Sequence, residues 1–557
     1  MWPQNYTPLS DSVGVSAAAS ALPVVTLLIL LGILRKPAWV AALAGLAAAL
    51  VVAMLVYGMP LPLATAAITY GAAFGLFPIG WVVFWAVVLY RVTVETGKFE
   101  IVKDSVGSLT PDRRLQALLI AFAFGAFIEG AAGFGTPVAV AAAMLAGLGF
   151  SPFYAAGICL LANTAPVAFG SIGTPLLTLA GITGLPLLDL SANVGRICAP
   201  LSFIVPAYLV LVMGGMRALS GVWPAALLCG ASFAGTQFLV SNYIGPQLTD
   251  ILSSLAAIAS LVVLFKVWQP KDSFTLAEHG QSATARAGAG GGTSVPVPHA
   301  PTRHHTTGEV FLAWLPYGLL VIFVLLLGMD AVKTPLNAWT TTFGWPGLHN
   351  AIERVAPVVK TPGPYPASYT FNFFTASGTA CLVAAFLSAL ILRMSVGQFF
   401  KTVMTTARQL AFSMLTIASV LALAFLMNYC GATATLGLAF AATGALFPFF
   451  SALLGWLGVF LTGSDTAANA LFGNLQVVTA GRLDLNPILM ASSNSSGGVM
   501  GKMISLQSIA VAAAATSMAQ DDEAKLFRFT LKHSILLATA LGLVVVFYAY
   551  VVPDWVR

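Results

Sequence analysis

The sequence predicts an all-α polytopic membrane protein with about 12 to 14 membrane segments, since a span takes roughly 20 apolar residues. Of its 557 residues, 58% are hydrophobic and only 8% are charged, whereas soluble domains carry roughly 25% charged residues. Apolar runs recur along the whole chain, and several are too short for a full crossing. Such short runs predict re-entrant hairpins and broken helices among the membrane segments.

The charged residues indicate topology rather than a charged partner. The net charge of +6 comes from Lys and Arg residues scattered between the spans, so no nucleic-acid partner is predicted and lipid is the expected surroundings. By the positive-inside rule, the loops at 98–114 and 393–408 lie in the cytoplasm. The five cysteines are odd in number and form no Cys-x-x-Cys motif, which favours small core residues over a metal or redox site. No cofactor, metal site or catalytic residue is predicted.

The chain divides into two membrane halves, 1–268 and 309–557, separated by a polar segment at 269–308. This segment contains the sequence ARAGAGGG at Ala285–Gly292 and is predicted to be a flexible cytoplasmic linker. Each half is predicted to contain a hairpin followed by a broken helix. The predicted ranges are a hairpin at about 124–150 and a broken helix at 153–181 in the first half, and a hairpin at about 456–481 and a broken helix at 487–516 in the second.

Short motifs recur in the same order in the two halves. FIEG at Phe127–Gly130 is similar to FLTG at Phe460–Gly463, Ser151-Pro152 to Asn486-Pro487, and Asn163-Thr164-Ala165 to Asn494-Ser495-Ser496. The shared order predicts two structural repeats. We expect them to be inverted, because transporter repeats commonly are, and polar interruptions at matching places of two halves point to a binding site.

Two carboxylates lie inside these apolar segments, Glu129 and Asp465. A carboxylate at membrane depth costs at least about 2.5 kcal/mol, so each of the two is expected to have a specific role. That role is either proton coupling or a structural one, as part of an ion pair or as a hairpin cap. Lys502 is the only cation in the run at 487–516. It either forms a permanent bridge with Asp465 or attracts a substrate anion, in which case anion and proton binding would be coupled.

The segments Asn163–Pro166 and Ser492–Gly498 are predicted to be helix breaks, because Ser and Asn compete for backbone hydrogen bonds while Gly and Pro weaken the helix. A half-helix that begins at a break binds anions at its N-terminus. The alternative is glycine-mediated helix packing. The predicted proton-coupling residues are Asp465 and Glu129. The predicted substrate-binding residues are Asn163, Thr164, Ala165, Gly170, Ser171, Gly463, Ser464, Ser493, Asn494, Ser495, Ser496, Gly497 and Lys502.

Long motifs across nearly the whole chain closely resemble the bacterial L-lactate permease family. They include FIEGAAGFGTP at Phe127–Pro137, NTAPVAFG at Asn163–Gly170, GWLGVFLTGSDT at Gly455–Thr466, NALF at Asn469–Phe472 and GGVMGKMIS at Gly497–Ser505. The resemblance implies a secondary active transporter that imports L-lactate, D-lactate and glycolate with protons (H+) across the bacterial inner membrane. It also implies an elevator-type fold, in which a substrate-carrying domain moves past a scaffold.

Three other functions are weighed against this expectation. A sodium-coupled carboxylate symporter would hold Na⁺ at the same Ser- and Asn-rich breaks, and a passive anion channel, a protein of a different class, would show no counterflow of labelled lactate. An intramembrane enzyme is disfavoured, because the sequence offers neither a Ser-His-Asp set nor a His-Glu-x-x-His zinc motif.

Overall fold

Helices form most of the molecule, as the composition predicts. The computed structural model describes residues 1–34, 36–133, 135–272, 305–359 and 361–555. Within these ranges, 11 helices are long and apolar enough to cross a membrane, or 12 if the bent pair Pro152–Ala162 and Val167–Thr183 counts as one span. The predicted class, a helical multi-pass membrane protein, is therefore confirmed. Of the predicted linker 269–308, residues 273–304 lie outside the described ranges.

The first half contains twelve α-helices among the described residues. They are α1 (Val13–Leu28), α2 (Ala38–Val51), α3 (Leu61–Phe74), α4 (Trp81–Glu95), α5 (Lys98–Gly107), α6 (Arg113–Gln116), α7 (Gly125–Ala131), α8 (Thr136–Gly147), α9 (Pro152–Ala162), α10 (Gly170–Thr183), α11 (Leu187–Tyr243) and α12 (Thr249–Val267). π-helical turns extend α1, α2, α3 and α6 and run over Ile29–Ile33, Val52–Val56, Gly75–Gly80 and Ala117–Phe124.

The helix α11 is a hairpin rather than a single rod. Its 57 residues would span about 85 Å at 1.5 Å per residue, far more than one membrane crossing. The backbone leaves the helical conformation at Gly214 and Gly215, where Gly215 has φ +67°. Ser191 Oγ donates to the carbonyl oxygen of Ser241 at 2.8 Å, so the two arms run antiparallel and lie side by side.

The second half contains ten more α-helices among the described residues. They are α13 (Thr307–Gly328), α14 (Asp330–Asn337), α15 (Ser377–Ile391), α16 (Val396–Cys430), α17 (Ala432–Phe440), α18 (Phe447–Thr462), α19 (Asp465–Arg482), α20 (Pro487–Lys502), α21 (Leu506–Ala515) and α22 (Gln520–Tyr550).

The prediction of an all-α fold is wrong in one region outside the helices. Five short strands form two small sheets: β1 (Trp2–Pro3), β2 (Thr341–Gly344), β3 (Ile352–Arg354), β4 (Gly363–Pro364) and β5 (Ser368–Phe371). β3 pairs with β1 and β4, and β2 pairs antiparallel with β5. Thr, Tyr and Phe side chains favour this pairing, but the segment's many prolines conceal the pattern in the sequence.

The buried apolar side chains form two clusters. The larger cluster includes α7 to α12 and α18 to α22. The smaller cluster is built mainly from α1 to α3, α16 and α19.

Candidate functional site

Two helical hairpins direct their tips at one cavity. The first hairpin consists of α7 and α8, and the second of α18 and α19. In the second, Gly463 ends α18 with φ +70°, and Ser464 caps α19 by accepting a hydrogen bond from Ala467 N at 3.3 Å. A residue in the left-handed region favours glycine, so the Thr-Gly-Ser sequence makes the reversal possible.

The first half contains a helix break next to its hairpin. α9 ends at Ala162, and the chain leaves the helical path from Asn163 to Gly173. Ser171, Ile172 and Gly173 all have positive φ, at 45°, 58° and 72°. The helices on the two sides of the break are inclined at 64°.

The predicted break at Ser492–Gly498 is wrong, because α20 runs without interruption from Pro487 to Lys502. The helix ends only after Lys502, so the broken helix 487–516 is divided at Met503–Ser505. The glycines serve close packing instead: Gly497 lies against the carbonyl of Ala452, and Gly455 against the carbonyl of Asn494. The packing alternative considered for these glycines therefore describes this helix.

A cavity of about 160 Å³ lies between the hairpin tips and the wall formed by α1, α2 and α16. About 10–15 Å³ on this measure holds one water molecule, so the space suffices for a small organic acid. Seven predicted site residues line it: Glu129, Gly170, Ser171, Gly463, Ser464, Asp465 and Lys502. The other eight are buried and do not line it: Asn163, Thr164, Ala165, Ser493, Asn494, Ser495, Ser496 and Gly497.

Lys502 lies at the C-terminal end of α20 and reaches the second hairpin tip. Its Nζ atom donates to the carbonyl oxygen of Gly463 at 2.7 Å. Among the described residues, no carboxylate oxygen lies within 4.0 Å of this ammonium. The permanent Asp465–Lys502 bridge considered from the sequence is therefore wrong, because Asp465 makes its hydrogen bonds to other side chains.

Asp465 begins α19, and its two carboxylate oxygens have different surroundings. Oδ2 accepts from Ser495 Oγ at 2.6 Å and from Asn469 Nδ2 at 3.3 Å. Oδ1 is buried and has no hydrogen-bond partner among the described residues. One oxygen is thus held by donors, while the other has none among the described residues and lies against Gly498.

A hydrogen-bonded network behind Asp465 contains residues that the sequence reasoning missed. Asn469 Nδ2 donates to Ser495 Oγ at 3.1 Å, and Gln476 Nε2 donates to Asn494 Oδ1 at 3.0 Å. Spacings of four and seven residues place Asp465, Asn469 and Gln476 on one face of α19. This polar stripe inside an apolar helix is the sequence signal that could have identified them.

Glu129 is buried against the break between α9 and α10. A methyl group added at Gly170 would lie 2.6 Å from Glu129 Oε1, so the glycine leaves room for the carboxylate. The sequence reasoning also missed Asp250, a fully buried carboxylate at the start of α12. It packs against Gly130, and neither of its oxygens has a hydrogen-bond partner among the described residues. A lone acid at the start of an apolar run was the available signal.

A cavity that carries charge inside a helical bundle, at the meeting point of two hairpin tips, is typical of a multi-pass membrane transport protein. The chain belongs to the L-lactate permease family, which it matches over residues 16–552. This confirms the resemblance seen in its motifs, and the relatives are permeases rather than enzymes.

Two relatives match almost their whole length. The chain is 46% identical to the L-lactate permease of Bacillus subtilis, over 100% of this chain and 99% of that protein. It is 45% identical to the glycolate permease GlcA of Escherichia coli, over 99% of this chain and 98% of that protein. Among solved structures, MtrF of Neisseria gonorrhoeae, from a class of antimetabolite efflux pumps, aligns over 87% of this chain and 84% of its own, with 13% identity and a TM-score of 0.46.

Proposed function

We propose that this permease imports L-lactate and related 2-hydroxymonocarboxylates, namely D-lactate and glycolate, together with protons across the bacterial inner membrane. The names of the relatives support the substrate class. The observation that carries the proposal is that Lys502, Asp465 and Glu129 line one cavity. An ammonium recognises the substrate carboxylate, and two carboxyl groups offer places for a proton.

The charge of the cavity supports coupling to one proton. With both carboxylates ionised, Lys502, Asp465 and Glu129 sum to one negative charge. A monocarboxylate that enters alone would add a second negative charge at membrane depth, where uncompensated charge is costly. If a proton binds with the anion, the net charge does not change. Uptake would then be electroneutral at a stoichiometry of one to one.

The groups around Lys502 are suited to a small hydroxy acid. An ammonium has three N–H donors, and Gly463 accepts one of them. Ser171, Ser464 and Gln507 also line the cavity and offer hydroxyl and amide groups for the substrate's hydroxyl. Thus the carboxylate would bind Lys502 while the hydroxyl binds a neighbouring polar side chain.

The arrangement of helices supports two inverted repeats that move as an elevator. In each repeat a hairpin precedes a helix that begins with proline, and a second helix follows a break. The second helix packs on the hairpin of the other repeat, α10 on α19 and α21 on α8. The cavity lies between the larger apolar cluster and the wall of α1, α2 and α16. Sliding of the larger body along this wall would expose the cavity to each side in turn.

Transport by the purified protein in sealed liposomes tests the proposal. We expect labelled L-lactate to accumulate when an inward proton gradient is imposed without sodium, and unlabelled D-lactate and glycolate to compete. Accumulation that requires a sodium gradient instead would establish the sodium-coupled alternative. Absence of counterflow against internal lactate would indicate a passive channel.

A further inference from the structure

A directional chain of side-chain amides runs through the second repeat and ends at Asp465. Gln476 Nε2 donates to Asn494 Oδ1 at 3.0 Å, and Asn494 Nδ2 donates to Asn469 Oδ1 at 2.9 Å. Asn469 Nδ2 in turn shares one N–H between Asp465 Oδ2 at 3.3 Å and Ser495 Oγ at 3.1 Å, and Ser495 Oγ itself donates to Oδ2. All three amides therefore present their N–H groups in the direction of Asp465.

Backbone carbonyl groups fix the direction of this chain. Gln476 Nε2 also donates to Ser451 O at 3.1 Å, Asn494 Nδ2 to Ala468 O at 3.4 Å, and Asn469 Nδ2 to Pro175 O at 3.1 Å. An amide that rotated by half a turn would place its own oxygen against one of these carbonyl oxygens. Since a buried acceptor without a donor is costly, each amide is held in one orientation.

The fixed donors make the two oxygens of Asp465 unequal. Oδ2 accepts hydrogen bonds from the N–H of Asn469 and the hydroxyl of Ser495. A proton placed on Oδ2 would compete with these two donor hydrogens for the same oxygen. Oδ1 has no such donor among the described residues. We propose that Asn469 is a positioning residue that directs the exchangeable proton to Oδ1 of Asp465. The inference rests on the proton coupling proposed above.

Asn469 also connects Asp465 to the first repeat. Its bond to Pro175 O reaches α10, and Pro175 lines the cavity just beyond the break at Ser171–Gly173. A change in the unwound segment would thus move Asn469 and alter the hold on Oδ2.

The charged and titratable groups around Asp465 are few. α20 contributes Lys502, Glu129 lies across the cavity, and Cys198 on α11 is an electrostatic neighbour. α10, α17 and α18 carry no titratable side chain. On α16, the residues that line the cavity are Ser413, Thr416 and apolar side chains.

Substitution of Asn469 by alanine and by serine in the full-length protein tests the inference. In liposomes we expect lactate counterflow to stay within about threefold of the wild type. Proton-driven accumulation should fall at least about tenfold, because the variant loses a hydrogen bond to a charged group. The pH profile of uptake should shift as well. Asn474→Ala is the matched control, because Asn474 lies on the same helix but donates to Asn428 Oδ1 at 3.2 Å, outside the chain to Asp465.

The outcomes separate this inference from the proposed function. If the wild type shows no lactate-dependent proton uptake, the proposed function fails. If the wild type couples and Asn469→Ala keeps its accumulation and pH profile, only the inference fails. Loss of counterflow in a folded variant would show a role in binding and would also overturn it. If the Asn469 variants unfold in detergent at room temperature, Ser495→Ala replaces them in the test, because Ser495 is the other donor to Oδ2. An unchanged pH profile of uptake in Ser495→Ala would overturn the inference.

Discussion

The Nζ atom of Lys502 lies 2.7 Å from the carbonyl oxygen of Gly463, at the tip of the second hairpin. The ammonium therefore holds the end of α20 to the tip instead of neutralising Asp465. A substrate carboxylate that binds the ammonium of Lys502 would weaken its hydrogen bond to Gly463. Substrate binding and the position of the tip are in this way connected through one side chain.

Replacement of Lys502 by glutamine should weaken substrate binding. A hydrogen bond to a charged group contributes about 1.5–3 kcal/mol, so we expect the affinity for lactate to fall roughly 10- to 100-fold. Isothermal titration in detergent measures this change. Lys532→Gln is the control, because Lys532 is exposed on α22. Equal affinity in the two variants would contradict a role for Lys502 in anion binding.

Replacement of Asp465 by asparagine should separate exchange from coupling. Asparagine keeps the shape of the side chain but cannot bind an exchangeable proton, so proton-driven accumulation should disappear while counterflow partly persists. Labelled-lactate uptake with and without a pH step distinguishes the two activities. Asp484→Asn, at an exposed position, should behave as wild type. Coupled uptake by Asp465→Asn at the wild-type level would refute its role.

Replacement of Gly170 by alanine should disturb Glu129. The added methyl group would lie 2.6 Å from Glu129 Oε1, closer than van der Waals contact, so the carboxylate must move. We expect uptake to fall roughly 5- to 150-fold, since overpacking costs about 1–3 kcal/mol. Gly147→Ala, where a methyl group meets no atom within 4 Å, is the control. Normal uptake by Gly170→Ala would show that the position of Glu129 does not matter.

Replacement of Gly463 by alanine should distort the tip of the second hairpin. Gly463 and Gly184 both have φ +70°, and alanine in this region costs about 1–2 kcal/mol. A methyl group at Gly463 would also meet Gln507 Oε1 at 2.7 Å, whereas at Gly184 it meets nothing within 4 Å. Melting temperatures should fall for both variants and uptake only for Gly463→Ala. Equal uptake by the two variants would argue against crowding at the tip.

The ion pair between Arg114 and Asp272 should make stability depend on pH. Arg114 Nη1 lies 2.7 Å from Asp272 Oδ2, and the hydrogen bonds from Arg114 lower the pKa of Asp272. A lowered pKa stabilises the folded state above the unfolded pKa, and this contribution disappears as the pH falls through the folded value. Asp272→Asn should therefore lower the melting temperature slightly at neutral pH and have no effect in strong acid. A difference that persists in acid would point to packing instead.

The composition of the sequence was sufficient to predict the class, a helical multi-pass membrane protein. Glu129 and Asp465 could be identified because a carboxylate within an apolar run needs a reason. The conformation of Ser492–Gly498 could not be predicted, because its outcome depends on a neighbouring helix. Asn494 and Ser495 form hydrogen bonds with side chains of α19 rather than with their own backbone. These partners are known only from the packing of α19 against α20.

The partners of each buried group were also beyond the sequence. Lys502 and Asp465 looked like a pair because they are opposite charges within one predicted repeat, but the hairpin tip presents a carbonyl group to Lys502. Asp250 was not predicted as a site residue, since its neighbour Gly130 is 120 residues away along the chain and meets it only through packing of α12 on α7.

The glycine contacts between α18 and α20 have a consequence for the sequences that this protein can tolerate. Gly455, Gly497 and Gly501 each lie directly against the main chain of the opposite helix. Backbone, unlike a side chain, cannot rotate away from an added methyl group. In a saturation mutagenesis screen, these three positions should accept almost no substitution even though none of them lines the cavity, so intolerance to mutation alone would not map the binding site.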